Sequence, residues 1–116
     1  MRTAEHVEKK ARIEIDVFSG RPNPVWDLGP EQARALAQLI QMPHERIAAP
    51  PAADGLGFRG FVVTFDNGDV ERLRVMGNVV DDGHGAFRDA DRRIEAFILT
   101  VMPADLRRQF ADVLPH

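Results

Sequence analysis

The sequence has no cysteine and no tyrosine among its 116 residues. The absence of cysteine excludes a disulfide framework, a cysteine-based zinc site and a catalytic thiolate. It also fits the reducing cytoplasm, where we expect the protein to reside. Ser19 is the only serine, and its surroundings do not resemble a nucleophile elbow. The sequence therefore gives little support for covalent catalysis by a side chain.

Long apolar runs and a basic charge balance are also missing. No run approaches the roughly 20 apolar residues of a membrane span, and the N-terminus has no apolar signal core. The net charge of -3 argues against a dedicated nucleic-acid binder, which normally presents a basic face. Lys9 and Lys10 are the only lysines. Arginine suits forked contacts to carboxylates, although a GC-rich genome explains the same bias. We expect neither a membrane nor a nucleic acid as partner.

The length and the apolar pattern predict one domain with a short leading arm. Residues 1–10 are polar and charged without an apolar period, which is typical of a flexible N-terminal arm. Residues 11–116 then form a single α+β domain. Its first element is a strand over Ala11–Phe18, in which apolar and charged residues alternate. The segment from His44 to Gly57 is expected to be a loop, more readily a surface connector than a mobile flap.

Two further patterns complete the predicted fold. A helix begins at Pro30 and ends near Met42. A hairpin joins strands over Gly60–Phe65 and Val70–Met76 through an Asn-Gly turn. A third strand starts at Asn78. A helix capped by Asp89 or Asp91 then covers about Ala90–Met102, and a short helix follows Pro103. The order β-α-β-β-β-α-α predicts a small antiparallel sheet of three to five strands with helices packed on one face.

The stretch between the first strand and the first helix is the best candidate for a recognition surface. Pro22 and Pro24 restrict the backbone around Arg21 and Asn23, so this loop loses little entropy on meeting a partner. Arg21 offers a rigid fork of donors, and Trp26 offers a large apolar face. The same residues also fit a structural role, with Trp26 in the core and Arg21 bound to a carboxylate such as Asp16 or Asp27.

Two arginines on the returning strand of the hairpin are further candidates for contacts with a peptide. Because Leu73 and Val75 face the core, Arg72 and Arg74 are expected to point to the opposite side of the sheet. There they would form a basic strip that receives an acidic peptide or simply faces solvent. The predicted peptide-binding residues are therefore Arg21, Asn23, Trp26, Arg72 and Arg74.

The most specific candidate for a catalytic or metal-binding site consists of Asp81, Asp82 and His84. Two carboxylates and an imidazole within four positions are suited to hold a divalent metal or to share a proton. Their spacing matches no defined metal loop, since the further oxygen ligands of a calcium loop are absent. Turn chemistry alone explains Asp-Gly and His-Gly pairs. We therefore expect no metal and no cofactor, and no catalytic residue is assigned.

The segment Val17-Phe18-Ser19-Gly20-Arg21-Pro22-Asn23-Pro24-Val25-Trp26, after a predicted strand and before a predicted helix, resembles a motif of small proteins from bacterial peptide-natural-product clusters. In particular, it resembles the small peptide-binding proteins of crocagin biosynthesis. The rest of the chain is similar to them in size, element order and Arg/Ala-rich composition. The resemblance implies a non-catalytic accessory protein that holds a ribosomally made precursor or leader peptide for tailoring enzymes.

The physics of a small sheet is compatible with that function. An antiparallel meander leaves an unpaired strand edge, to which an extended peptide can add as a further strand. A homodimer that covers an edge is also compatible with the sequence. Two other functions stay open at this stage. One is a small cofactor-independent or metal-assisted lyase or isomerase that uses Asp81, Asp82 and His84, and the other is a structural, dimerising subunit.

Overall fold

The computed structural model describes residues 10–17, 20, 22–48, 59–66 and 68–115. The predicted arm therefore lies outside the described residues except for Lys10, which begins the first strand. The elements, in chain order, are β1 (Lys10–Ile15), β2 (Val25–Leu28), α1 (Pro30–Gln41), β3 (Glu45–Ile47), β4 (Phe61–Asp66), β5 (Val70–Met76), β6 (Val79–Asp81), β7 (Ala86–Arg88), α2 (Arg93–Val101) and α3 (Ala104–Gln109).

The described strands form one antiparallel sheet in the order β2-β1-β4-β5-β6-β7-β3. An antiparallel α+β fold was predicted correctly, but the predicted three to five strands are too few, since the sheet has seven. The strands that the sequence did not reveal are β2, β3 and β7, of only four, three and three residues. Segments this short carry too few positions for an alternating pattern to be recognised.

One face of the sheet carries the hydrophobic core. Ile13 on β1 lies opposite Trp26 on β2 and Val63 on β4, and Val63 lies opposite Leu73 on β5. Residues directly opposite one another in a sheet point to the same side. Ile13 and Val63 are fully buried there. The other face, which we call the open face, carries Arg12 and the other even-numbered residues of β1.

The helices α1 and α2 cover the core face and contact each other. Leu36 of α1 and Ile94 and Ile98 of α2 are fully buried in the same cluster as the strand residues. Pro30 begins α1, as predicted, because its missing N–H has no partner to lose at a helix start. Phe110, after α3, also packs into this core.

The helix α2 begins three residues later than predicted. Asp89 does cap it, but from a distance: its Oδ2 accepts a 2.7 Å hydrogen bond from the backbone N–H of Ile94. Arg92, directly before the helix, adopts a left-handed backbone with φ of 54°. This turn is what delays the helix to Arg93.

The central hairpin agrees with its prediction. The strands β4 and β5 pair over their full length, from Phe61 opposite Val75 to Asp66 opposite Val70. Asn67 lies outside the described residues, and Gly68 has a φ of 110°, as its turn position requires. Within the described ranges, no helix combines the length and the apolar character needed to cross a bilayer.

Candidate functional site

The proline-rich stretch is a connection between two antiparallel strands rather than the expected link from strand to helix. The backbone N–H of Ile15 donates to the carbonyl oxygen of Pro24 at 2.9 Å, which extends the pairing of β1 with β2. The sequence did not reveal β2, so the loop is shorter than predicted. Arg21, the centre of the predicted recognition surface, lies outside the described residues.

Asn23 ties this connection to β1 with both ends of its side-chain amide. Its Oδ1 accepts from the backbone N–H of Val17 at 3.1 Å, and its Nδ2 donates to Glu14 Oε2 at 2.7 Å. These bonds fix the path of the chain between β1 and β2. The amide of Asn23 is thus engaged within the protein, which gives this predicted binding residue a structural role as well.

An ion cluster on the open face stands beside this connection. Asp16 is 9% exposed, and its two carboxylate oxygens face different arginines. Arg59 Nη2 lies 3.0 Å from Oδ1, and Arg74 Nη1 lies 2.6 Å from Oδ2. Arg74 Nη1 also donates to the carbonyl oxygen of Arg59 at 3.1 Å. The cluster joins Asp16, just after β1, to Arg74 on β5 and to Arg59, which lies two residues before β4.

The arginines determine the charge state of Asp16. Burial would raise the pKa of the Asp16 carboxyl, but the hydrogen bonds and positive charges of Arg59 and Arg74 outweigh burial and leave that pKa below its ordinary value. Asp16 therefore stays ionised at neutral pH. A carboxylate held by two arginines in this way stabilises the fold in its ionised form.

Arg72 and Arg74 do lie on the open face, opposite Thr64 and Val62 respectively. They do not form the predicted strip of two available cations, because Arg74 is bound to Asp16. Arg72 is exposed. The sheet order also places β1 and β4 between these arginines and β2. Three spacings of about 4.8 Å separate β5 from β2, so a peptide on β2 would not touch the arginines along its backbone.

Trp26 belongs to β2 and points to the core face, opposite Ile13. It is partly buried and packs against the core. Its indole Nε1 is buried and has no hydrogen-bond partner in the described part of the chain. Trp26 therefore has a structural contact with the core while it lies in the edge strand of the sheet.

The edge of β2 presents two residues to a partner. Hydrogen-bonded and non-hydrogen-bonded pairs alternate along antiparallel strands. Because Ile15 bonds to Pro24, the hydrogen-bonded pairs continue at Ile13 with Trp26 and at Ala11 with Leu28. The backbone N–H and C=O groups of the intervening residues, Val25 and Asp27, must then point away from β1. No hydrogen bond from the described residues reaches these four groups.

The opposite edge, at β3, is less open. The N–H of Asp82 donates to the C=O of Gly85 at 3.0 Å, so Phe87, two residues further along, directs its backbone groups towards β6. The backbone groups of Ala86 and Arg88 then point to β3, where they face Ile47 and Glu45. Only Arg46 of β3 then directs its backbone outward. A short edge with charged side chains is a common protection against unwanted pairing. The β2 edge is the better docking site by this comparison.

Asp81, Asp82 and His84 form the turn between β6 and β7. Asp81 Oδ1 accepts from Gly83 N–H at 3.0 Å, and Asp82 Oδ1 accepts from His84 N–H at 2.9 Å. Asp82 Oδ2 accepts from Arg46 Nη1 at 3.0 Å. Burial alone would raise the pKa of Asp82, but these bonds and the Arg46 charge lower it. Among the residues with described positions, no group of three His, Asp or Glu is arranged to hold a metal ion.

The sequence did not indicate that Asp16, Arg59 and Arg74 form an ion cluster. The structural alternative for Arg21, a contact with Asp16 or Asp27, stays untested because Arg21 lies outside the described residues. The partner of Asp27 is Arg12, whose Nε donates to Oδ1 at 2.8 Å. No local signal identifies such pairs, because Arg59 and Arg74 are 43 and 58 residues from Asp16. No family model matches the chain, and neither the curated proteins nor the solved structures searched gave a match.

Proposed function

We propose that this protein is a non-catalytic peptide-binding accessory protein and that the peptide adds as a further strand along β2. The observation that supports this function is the pair of outward-facing residues, Val25 and Asp27, on an edge strand that no described residue covers. Addition of a strand to such an edge is an established mode of peptide recognition. The resemblance of the Val17–Trp26 segment suggests the class of peptide, a ribosomally made precursor presented to tailoring enzymes.

The edge fits a short extended peptide. Gly29 and Pro30 lead β2 directly into α1, so the outward-facing groups of this strand are the four of Val25 and Asp27. Four backbone hydrogen bonds at about 1 kcal/mol each contribute about 4 kcal/mol, which corresponds to a dissociation constant of about 1 mM. Micromolar binding therefore requires side-chain contacts in addition to the backbone.

An enzymatic function based on Asp81, Asp82 and His84 receives less support. The carboxylates of both aspartates accept turn hydrogen bonds, and Asp82 is paired with Arg46 as well. A homodimer in which β2 pairs with β2 of a second copy would use the same two outward residues. Such a dimer and the peptide would compete for one edge, so the two arrangements can be separated by experiment.

The test removes one outward donor without changing the rest of the edge. Val25→Pro deletes the N–H that points away from β1, a substitution that edge strands tolerate. Val25→Thr is the matched control, because it keeps the N–H and the branched shape. Peptides selected from a display library are titrated into each protein while fluorescence of Trp26, the single tryptophan, is followed.

We expect the wild type and Val25→Thr to bind with similar affinity and Val25→Pro to bind about fivefold more weakly, because one of the four bonds, worth about 1 kcal/mol, is lost. Thermal melting of all three proteins checks that the fold is retained. Equal binding by Val25→Pro, or no binding of any peptide by the wild type, would refute docking on β2. Light scattering that shows a peptide-independent dimer abolished by Val25→Pro would instead assign the edge to self-association.

A further inference from the structure

We infer that the peptide runs antiparallel to β2 and carries a basic residue followed by an aromatic and then a β-branched residue. This inference rests on the proposed function, since it assumes that the β2 edge is the docking site. It specifies which side chains supply the affinity that the backbone alone does not. The three positions correspond to Asp27, Trp26 and Val25, in that order along the peptide.

The antiparallel direction is favoured by the stability of such pairing and by the rest of the sheet. An antiparallel strand exchanges both of its bonds with one residue of the partner at each hydrogen-bonded pair. Val25 and Asp27 are two residues apart, which is the spacing of successive pairs of this kind. A parallel strand bonds with slanted geometry and is slightly less stable per residue. Each described strand pairing in the sheet is antiparallel as well.

The side that each peptide residue faces follows from the register. Residues opposite one another point to the same face, so those opposite Val25 and Asp27 point to the open face. The residue between them points to the core face, next to Trp26. This central residue forms a non-hydrogen-bonded pair with Trp26, the type of pair in which side chains approach more closely.

The position opposite Asp27 favours a cation. Asp27 is exposed, with 69% of its side-chain area accessible. Arg12 takes only Oδ1, at 2.8 Å, and no hydrogen bond from the described residues reaches Oδ2. Arg12 lies on β1, on the far side of β2 from an added strand. A peptide side chain opposite Asp27 therefore lies closer to the Asp27 carboxylate than to the Arg12 guanidinium. This arrangement favours lysine or arginine at that position and disfavours glutamate or aspartate.

The other two positions favour apolar side chains. Trp26 is partly buried and lies in the edge strand, and an aromatic neighbour across a strand pair adds stabilisation beyond its buried area. Val25 is 47% exposed and is one of four exposed large apolar residues in the described part of the chain. A valine or isoleucine opposite it would cover that surface and complete the row that Val25 forms with Glu14 and Val62.

The experiment compares synthetic five-residue peptides with acetylated and amidated ends. The probe has the core Lys-Phe-Val between two threonines, and its matched control has the reversed core Val-Phe-Lys with the same composition. Two further peptides replace Lys by Glu or Phe by Ala. Binding to the full chain is followed by Trp26 fluorescence and by the amide signals of Val25 and Asp27 in a ¹H–¹⁵N spectrum, and it is repeated with Asp27→Asn.

We expect the Lys-Phe-Val peptide to bind about twofold to fivefold more tightly than each of the other three, the range typical of one exposed ion pair or one cross-strand pair. Asp27→Asn should remove the preference for Lys over Glu and leave the preference for Phe. Equal binding of forward and reversed peptides, with amide shifts at Val25 and Asp27, would overturn the inferred motif and leave the proposed function intact. Absence of those shifts for every peptide would refute docking at β2 itself.

Discussion

Replacing Asp16 by asparagine should destabilise the fold more than any exposed charge substitution. The carboxylate accepts from Arg59 at 3.0 Å and from Arg74 at 2.6 Å while it is 9% exposed. A hydrogen bond to a charged group contributes about 1.5–3 kcal/mol. The two arginine side chains are 24% and 41% exposed, so water compensates part of the loss, and asparagine retains one acceptor. We therefore expect Asp16→Asn to lower the free energy of unfolding by about 2–3 kcal/mol.

Urea denaturation measures this change directly. With an m-value of about 1.5 kcal/mol/M, the transition midpoint should fall by about 1.5–2 M. The fluorescence of Trp26 and the far-ultraviolet circular dichroism should report the same transition. Asp27→Asn is the matched control: it removes one carboxylate from an arginine pair in which both side chains are mostly exposed, and it should move the midpoint much less. A shift for Asp16→Asn no larger than that of the control would refute the role assigned to the cluster.

The same variant has a characteristic acid response. Because the pKa of Asp16 is lowered in the folded state, its contribution is fully present above the unfolded pKa of about 3.9 and is lost as the pH falls through the lower folded value. The wild type should lose stability below about pH 4 more steeply than Asp16→Asn. Parallel acid slopes for the two proteins would show that another carboxyl group is responsible.

Two further substitutions test the turns that frame the sheet. Gly60→Ala should destabilise the protein by at least about 2 kcal/mol, because Gly60 has a φ of 107° and a Cβ there would lie 2.6 Å from the backbone oxygen of Val75. A melting temperature within 2 °C (about 0.5 kcal/mol) of that of the wild type would contradict this prediction. Asp89→Ala should cost about 1–2 kcal/mol through loss of the cap on Ile94, whereas Asp89→Asn, which keeps an acceptor, should cost less; equal melting of the two variants would speak against the cap.

The sequence predicted those parts of the fold that carry their own periodicity. The alternation around Ile13 predicts β1, the Pro30 start and apolar spacing predict α1, and the Asn-Gly turn predicts the hairpin of β4 with β5. By contrast, β3 has only three residues, Glu45–Ile47, and is a strand because β7 lies beside it. Its local sequence is as suitable for a loop, so the neighbouring strand decides.

The local structure of the candidate site was predicted in part for the same reason. The sequence placed the candidate recognition surface between the first strand and the first helix, but Trp26 was expected in a loop and lies in an edge strand. The bonds from Arg59 and Arg74 to Asp16 join distant parts of the chain. Neither residue type nor spacing indicates which of the many arginines meets which carboxylate.

The strand order has a consequence for the way the chain assembles. From β4 to β7 each strand pairs with its successor in sequence, so this block closes with short loops and little entropic cost. By contrast, β2 and β3, the two strands linked by α1, stand at opposite ends of the sheet. Each is hydrogen-bonded to only one other described strand, so we expect both to detach before the central strands in a native fluctuation. A peptide strand bound to β2 would give this edge strand a second hydrogen-bonded neighbour. Binding of the peptide should therefore reduce the local opening of β2.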